Sequence, residues 1–199
     1  MPNGPLSLPA RLCLLAWDLD PTRAAPVVRA GALADLARRG LLVDDDGIAT
    51  PRDLDSRTGD PALDGLLELV SESFPHGWRT WVTLHARHTL DAVREHLVAE
   101  GVLRAEKHRV LGVFPSVDHV LADTARADAL RAEAREVLSG AVTPDETTAT
   151  VLTLAAAADL PIVSSGTLPT VPMAPALAGL LHELEAGLRD AALALPKGR

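Results

Sequence analysis

The feature that most constrains the fold is a helix that ends at a glycine and is followed by two extended segments, because this pattern occurs twice. The clearer copy occupies residues 89–121. Its first part repeats Leu90, Val93 and Leu97 on one helical face, with charged residues on the other. Gly101 then follows at the position of a left-handed helix cap. This order of residues predicts an amphipathic helix joined to a β-hairpin.

The segment after Gly101 has the composition of a hairpin. Val102 and Leu103 are apolar and begin an extended segment, whereas residues 104–109 are polar and are predicted to form the turn. Residues 110–114 form a second apolar run, which we predict to be the returning strand. The hairpin is therefore expected to carry a polar turn between two short apolar strands.

The earlier copy of the pattern occupies residues 30–53. Leu33 and Leu36 lie on the apolar face of its helix, and Gly40 ends that helix. Residues 44–47 have the sequence DDDG and lie between two short apolar segments. DDDG also resembles the start of a calcium-binding loop, but the acidic ligand that such a loop needs downstream is missing. A hairpin turn is therefore favoured.

The rest of the chain is rich in alanine and leucine, which favour helix. We predict loops at residues 22–26 and 51–60 and a proline-rich connection at 161–175. Further helices are predicted at residues 6–19, 27–39, 78–84, 124–138, 147–160 and 176–195, with one more that follows a cap at Thr58 or Asp60. The predicted fold class is mainly α. A loose N-terminus at residues 1–9 precedes a single globular helical domain at 10–199, which carries two small β-hairpins.

The charge and the single cysteine limit the function classes. The formal net charge is −8 at pH 7, which argues against broad nucleic-acid binding because that requires a basic surface. Cys13 lies within an apolar run and is expected to be a buried side chain, and no intrachain disulfide can form. No apolar stretch reaches the roughly 18 residues of a spanning helix, and no secretion signal is evident. We expect a cytoplasmic protein whose contact with membranes is peripheral.

Four blocks of this sequence carry a family resemblance. They are LCLLAWDLD, AGALADLARRGLL, TGDPALDGLL and VREHLVAEGVLRAEKHRVLGVFPSVDHVLAD. In this order they resemble the Golgi phosphoprotein 3-like family, also called the GPP34 domain. The second and fourth blocks are the two helix-hairpin units, and the third, which contains Thr58, Gly59 and Asp60, is the most specific. The resemblance covers residues 12–160, fades beyond them, and is to a short member of bacterial type.

This resemblance implies a mostly helical fold and the role of a peripheral membrane adaptor. No enzymatic activity and no cofactor are predicted. It implies binding of an anionic phospholipid headgroup, which is phosphatidylinositol 4-phosphate in eukaryotic members. By position, the headgroup-binding arginines fall on Arg29 and Arg87. Arg23 and His88, together with His85, are further donors nearby, because a phosphate favours several charged hydrogen-bond donors.

Two positions differ from the family pattern. A second arginine of the central helix is expected one turn after Arg87, where this chain has Leu90. The family tryptophan of the first loop has no counterpart, because residues 19–26 are shortened and Trp17 lies inside an apolar run. The resemblance therefore implies a headgroup site with fewer donors than the family pattern contains.

The long hairpin is the second site that the resemblance implies, because in this family it contacts the membrane and neighbouring subunits. Its basic side chains would lie near anionic headgroups, and its apolar side chains would face lipid or a second subunit. The residues concerned are Lys107, His108, Arg109, Val110 and Leu111. No particular protein partner is predicted, and a homo-oligomer remains open.

Other functions have weaker support in the residues. Helix-hairpin units also build winged helices, so a nucleic-acid-binding regulator is the alternative function, which the net charge disfavours. His85 and His88 have a spacing that some metal sites use, but no third ligand is evident, and no metal is predicted. No GxSxG, P-loop, dinucleotide-binding or HExxH motif occurs, and no enzyme is predicted. Trp78 and Trp81 are expected to be core residues rather than ligand-stacking residues.

Overall fold

A computed structural model describes residues 4–53, 55–110, 114–164, 166, 168 and 171–195, and for residues 108–110 and 114–116 it describes the backbone only. The described residues form eight α-helices and two antiparallel two-stranded sheets, in the order α1 (Leu8–Leu15), α2 (Pro21–Arg38), β1 (Leu42–Asp45), β2 (Ile48–Pro51), α3 (Pro61–Glu72), α4 (Trp78–Thr83), α5 (Ala86–Ala99), β3 (Leu103–Val110), β4 (Phe114–Leu121), α6 (Thr124–Leu138), α7 (Glu146–Ala157) and α8 (Pro175–Ala194). One turn of 3₁₀ helix, Pro161–Val163, follows α7. The predicted class, a mainly α single domain with two helix-hairpin units, is confirmed.

Helix α2 is the centre of the core. Its residues are buried without a break from Val27 to Leu36, and it packs against α1, α3, α4, α5, α7 and α8. Two charged residues, Arg29 and Asp35, lie in this buried stretch. Asp35 accepts a hydrogen bond from the Leu8 amide at 2.9 Å, which satisfies a free N–H at the start of α1. The core therefore contains two charged groups near its middle, of which Asp35 has a hydrogen-bond partner within the fold.

Helices α1 and α2 cross at a glycine. A Cβ atom at Gly31 would lie 2.5 Å from Leu12 Cδ1 and 3.3 Å from the backbone of Pro9. Because α1 begins at Leu8, the boundary predicted at residue 9 lies in its first turn. The side chain of Cys13 on α1 is buried, as predicted.

The predicted loop at residues 22–26 is wrong, because α2 already begins at Pro21. The Asp20 carboxylate accepts a hydrogen bond from the Thr22 amide at 2.8 Å and caps the helix, and Pro21 occupies its first position. Pro26 lies inside the helix, where its missing N–H costs a single backbone hydrogen bond. The cap and the burial of Ala24 and Ala25 outweigh that loss.

The first hairpin has the predicted turn. Strands β1 and β2 pair from Leu42 with Pro51 to Asp45 with Ile48. Asp46 and Gly47 between them have positive φ angles of 50° and 86°, which matches a two-residue hairpin turn. The prediction of a hairpin rather than a calcium loop is confirmed.

The second hairpin is longer than predicted. Residues 104–109 belong to strand β3, so the prediction that they form the turn is wrong. The pairing runs from Leu103 with Leu121 to Val110 with Phe114. Residues 106–109 are all polar, so this part of the strand lacks the alternation of apolar and polar residues by which a half-buried strand is recognised. The predicted returning strand at 110–114 falls largely on residues 111–113, which lie outside the described residues.

The remaining helices follow the sequence predictions closely. Helix α6 spans the predicted residues 124–138. Asp60 caps α3, as one of the two predicted candidates, by accepting the Ala62 amide at 2.9 Å. Trp78 and Trp81 are buried core side chains, as predicted. In the described part of the chain, every helix is too short or too polar to cross a membrane.

Candidate functional site

The side chain of Arg29 is buried in the core beneath the start of α5. It is 0% exposed, and its Nη2 donates a hydrogen bond of 2.6 Å to the carbonyl oxygen of His85. Its Nε and Nη1 atoms are also buried and have no hydrogen-bond partner among the described residues. Burial lowers the pKa of Arg29 to about 10, so the guanidinium keeps its charge at neutral pH. Arg29 is therefore a buried cation with two unused donors.

His85 holds the backbone in an unusual conformation at this point. It is the residue before α5, and its φ angle of 53° places it in the left-handed region, which a histidine enters at a cost. No side chain caps the helix there. The exposed rings of His85 and His88 stack with their centroids 5.4 Å apart. The start of α5 thus carries uncapped amide groups next to Arg29, and such groups favour an anion.

Arg87 and Arg23 lie at the surface of the same region. Arg87 is on the first turn of α5, where its Nε donates to Asp91 at 3.1 Å. The hydrogen bonds from Thr22 lower the pKa of Asp20, and the charges of Arg87 and Arg23 lower it further. Asp20 therefore has both arginines near it. Of the predicted residues, Arg29 lies inside with its guanidinium at the start of α5, and Arg87 and His88 are exposed on the first turn of that helix. The exposed Arg23 is connected to them through Asp20, which it shares with Arg87.

Leu90 is fully buried, so the position of the further family arginine belongs to the core in this chain. One turn later, Arg94 lies on the same face of α5 as Arg87, because seven residues make two helical turns. Its guanidinium carbon is 5.8 Å from the centroid of the Trp17 ring. Arg94 is not among the residues that the family pattern predicts, although its spacing of seven from Arg87 places both on one helical face.

The Arg94 side chain lies among uncharged groups at its inner end. Its Nε atom is buried and has no hydrogen-bond partner among the described residues. Burial raises the pKa of the Cys13 thiol to about 11, against the opposing effect of the nearby Arg94 charge, so this thiol is neutral. Burial also lowers the pKa of His119 on β4, and Arg94 contributes to that change. Arg94 thus lies between α1 and the second hairpin.

The second hairpin runs beside α5. A groove of about 460 Å³ lies between them and is lined by Arg87, Asp91, Glu95, Val98, Ala105, Val117 and His119. Lys107 is exposed and pairs with Val117 in the ladder. His108, Arg109 and Val110 continue strand β3, and Leu111 lies outside the described residues. Arg87 is therefore shared between the start of α5 and the groove along the hairpin.

A comparison with protein families places these features in one family. The family model described as Golgi phosphoprotein 3 (GPP34) matches residues 8–193, which is most of the 199-residue chain. The chain belongs to the Golgi phosphoprotein 3 family. Both helix-hairpin units lie within the match, which confirms the resemblance that the four sequence blocks carry. A search of curated proteins found no match.

The Golgi phosphoprotein 3 match reaches further along the chain than the sequence blocks. It continues past residue 160, where the resemblance fades, and includes all but the last residue of α8. The proline-rich connection at 161–175 is therefore an interruption within the family domain. In this Golgi phosphoprotein 3 member, α2 and α5 carry the arginines, and α8 packs against α2 from another direction.

Proposed function

We propose that the protein is a peripheral membrane adaptor that binds the anionic headgroup of a phospholipid at the start of α5. The observation that carries this proposal is that the buried guanidinium of Arg29 has two nitrogen atoms, Nε and Nη1, without a hydrogen-bond acceptor among the described residues. Moving an ion from water into a protein interior costs several kcal/mol when no partner neutralises it. A phosphate would supply both the missing acceptors and the missing charge.

The groups around Arg29 favour a phosphate over a neutral ligand. The His85 carbonyl that accepts from Arg29 has only a partial negative charge. The first-turn amides of α5 add a partial positive charge at the same place. Arg23, Arg87 and His88 are exposed at the surface above. Among these, the guanidinium groups can each bind two phosphate oxygens at once.

A headgroup must displace some of the present contacts before it reaches Arg29. The Arg29 side chain is covered, whereas Arg23 and Arg87 are exposed and make first contact with the membrane surface. Arg87 is held by Asp91, in a pair whose side chains are 54% and 48% exposed. Such an exposed pair contributes at most about 1 kcal/mol, so a doubly charged phosphate can replace Asp91 as its partner.

The long hairpin supplies a second contact with the lipid surface. It runs along α5 and shares a groove with Arg87, so the two predicted sites are neighbours. Lys107 is exposed on it, and a basic residue near an anionic membrane contributes about 1 kcal/mol to binding. His108, Arg109 and Val110 follow in the same strand. The arginines at the start of α5 would give specificity and the hairpin would add affinity.

Vesicle flotation tests the proposal. The protein is mixed with phosphatidylcholine vesicles that contain either no anionic lipid, phosphatidylglycerol or phosphatidylinositol 4-phosphate. We expect flotation with anionic vesicles, and a loss of about tenfold or more in affinity for Arg29→Met and Arg87→Met. Arg189→Met is the matched control, because Arg189 is exposed and pairs with Glu185 on α8. Failure to float with all three vesicle types, or equal binding by the three variants, would contradict the proposal.

A further inference from the structure

We propose that Arg94, held against Trp17, binds a second anionic group of the same ligand, two helical turns along α5 from the group that Arg87 binds. This inference rests on the proposed headgroup function and extends it to a ligand with two separated phosphate groups. It gives a role to Trp17 and Arg94, which the family pattern does not assign by position.

The position of Arg94 fits a second contact on one ligand. Arg87 and Arg94 lie on the same face of α5, and seven residues of helix separate their Cα atoms by roughly 10 Å along the axis. Asp91 lies between them and is occupied by Arg87. A ligand that lies along this face meets a guanidinium at each end. Two phosphates joined by a sugar-sized spacer have this form.

Trp17 holds the Arg94 guanidinium in place. The distance of 5.8 Å between Cζ and the ring centroid is within the range of a cation–π contact. Both side chains are partly buried, so the contact restricts the rotation of the arginine while leaving part of it open to solvent. A guanidinium that is already oriented loses less conformational entropy when it binds a phosphate. Trp78 and Trp81 are buried in the core, so Trp17 is the tryptophan in contact with this surface.

Arg94 also lacks an internal anion. The described residues contain no carboxylate in salt-bridge contact with it. Its inner neighbours are an aromatic ring and the neutral thiol of Cys13. Within the described part of the chain, the buried guanidinium N–H groups without an acceptor belong to Arg29 and Arg94 alone. Arg94 therefore resembles Arg29, on which the proposed headgroup site depends, because each has a buried guanidinium nitrogen without a hydrogen-bond acceptor.

Two neighbouring carboxylates disfavour the binding of an anion near Arg94, so removing one of them should strengthen that binding. Asp91 and Glu95 lie on the same side of α5 and line the groove with Arg87. Asp91→Asn would remove one negative charge and free Arg87. We expect this variant to bind a bisphosphate several-fold more tightly than the wild-type protein. If Asp91 has only a structural role, Asp91→Asn will not bind the bisphosphate more tightly.

Binding of soluble headgroups to the full chain tests the inference. The probes are inositol 1,4-bisphosphate and inorganic phosphate, and the readouts are calorimetry and the fluorescence of Trp17. We expect Arg94→Met to weaken bisphosphate binding about tenfold and to leave phosphate binding unchanged. Arg94→Lys keeps the charge and should restore part of the loss. Trp17→Phe keeps a ring under Arg94, so binding should persist while the fluorescence response disappears.

The outcomes separate this inference from the proposed function. If Arg29→Met and Arg87→Met abolish bisphosphate binding while Arg94→Met binds like the wild-type protein, the headgroup site stands and the second subsite is wrong. If the wild-type protein binds neither probe, both fail together. If Arg94→Lys and Arg94→Met lose binding equally and also unfold at a lower temperature, Arg94 is only a packing residue. The exposed Arg189→Met variant again serves as the matched control.

Discussion

At the scale of single residues, the most informative side chain is one that stability alone does not explain. Arg29 lies in the middle of the central helix, where an apolar residue of similar length would fill the same space. Its one hydrogen bond is to the His85 carbonyl, which also accepts from the His88 amide at 3.0 Å. Removing the guanidinium would therefore leave no acceptor unsatisfied. A residue that costs stability in the folded protein is expected to be kept for binding.

Arg29→Met should make the protein more stable while it weakens binding to anionic vesicles about tenfold or more. The substitution removes a buried cation with two unused donors and keeps the apolar volume, so we expect the free energy of unfolding to rise by about 1–3 kcal/mol. Chemical denaturation of both proteins in the absence of lipid measures this. A decrease of similar size would mean that the guanidinium supports the fold and would weaken the argument for a ligand.

The family resemblance predicted which arginines form the site, but not how buried each of them is. By position it selected Arg29 and Arg87; the Arg29 side chain reaches from α2 to the start of α5, where Arg87 lies. That Arg29 is buried while Arg87 is exposed depends on how α2 packs against α5, which no local pattern records. The contact between Arg94 and Trp17 depends on the same packing. The role of these residues in binding stays a prediction.

At the scale of elements, the most specific sequence block has a structural explanation. Thr58 donates two hydrogen bonds to Asp64 Oδ1, from its amide at 2.6 Å and from its hydroxyl at 2.7 Å. The Gly59 amide donates to Asp64 Oδ2 at 3.3 Å. Asp60 caps the same helix. The TGD block and the aspartate that follows it therefore fix the start of α3, and the block does not contribute to the headgroup site.

Asp64→Asn should lower stability at neutral pH but not in acid. Burial raises the pKa of Asp64, but the hydrogen bonds from Thr58 and Gly59 outweigh it and lower the pKa overall. The carboxylate therefore stabilises the fold above its unfolded pKa of about 4, and this is lost as the pH falls through the lower folded pKa. We expect a loss of about 1 kcal/mol at pH 7 that shrinks towards pH 2, measured by urea denaturation. The exposed Glu68→Gln on the same helix should change little at any pH.

Most helices could be predicted because their signals are local, and the errors have local causes as well. Helix α6 has a capping Asp123 and a clear apolar stripe, and its predicted bounds agree with the structure. The start of α2 was missed because Pro26 resembles a helix breaker, whereas the Asp20 cap is stronger than that signal. The sequence predicts a turn at residues 104–109 because most of them are polar, although they belong to β3. Pairing with β4 stabilises this strand, although its sequence lacks a strand-like alternation of apolar residues.

At the scale of the whole molecule, α6 is attached differently from the other helices. Its C-terminal half packs in a small separate cluster, formed by Ala134, Val137, Leu138 and Leu152. Glu133 ties it to the rest, because Arg11 on α1 donates to both carboxylate oxygens at 2.7 Å and 2.8 Å. The Thr148 hydroxyl on α7 donates to the same carboxylate at 2.9 Å. Three helices thus share one carboxylate.

Glu133→Gln should loosen α6 without unfolding the domain. The amide cannot accept both hydrogen bonds from Arg11, so the guanidinium, which is 14% exposed, loses its counter-ion. Hydrogen exchange should become about tenfold faster in α6 and stay unchanged in α2 and α5. Glu136→Gln, an exposed substitution on the same helix, is the matched control. Uniformly faster exchange along the whole chain would mean that α6 unfolds together with the core.

The place of Arg29 in the central helix has a practical consequence. Since α2 packs against six other helices, we expect a compound that neutralises Arg29 to stabilise the whole cooperative unit. A ligand at a hundred times its dissociation constant adds about 2.7 kcal/mol, which raises the melting temperature of a protein of this size by several degrees. Thermal denaturation of the untreated protein against a panel of phosphorylated metabolites and lipid headgroups is therefore a search for the natural ligand that needs no membrane.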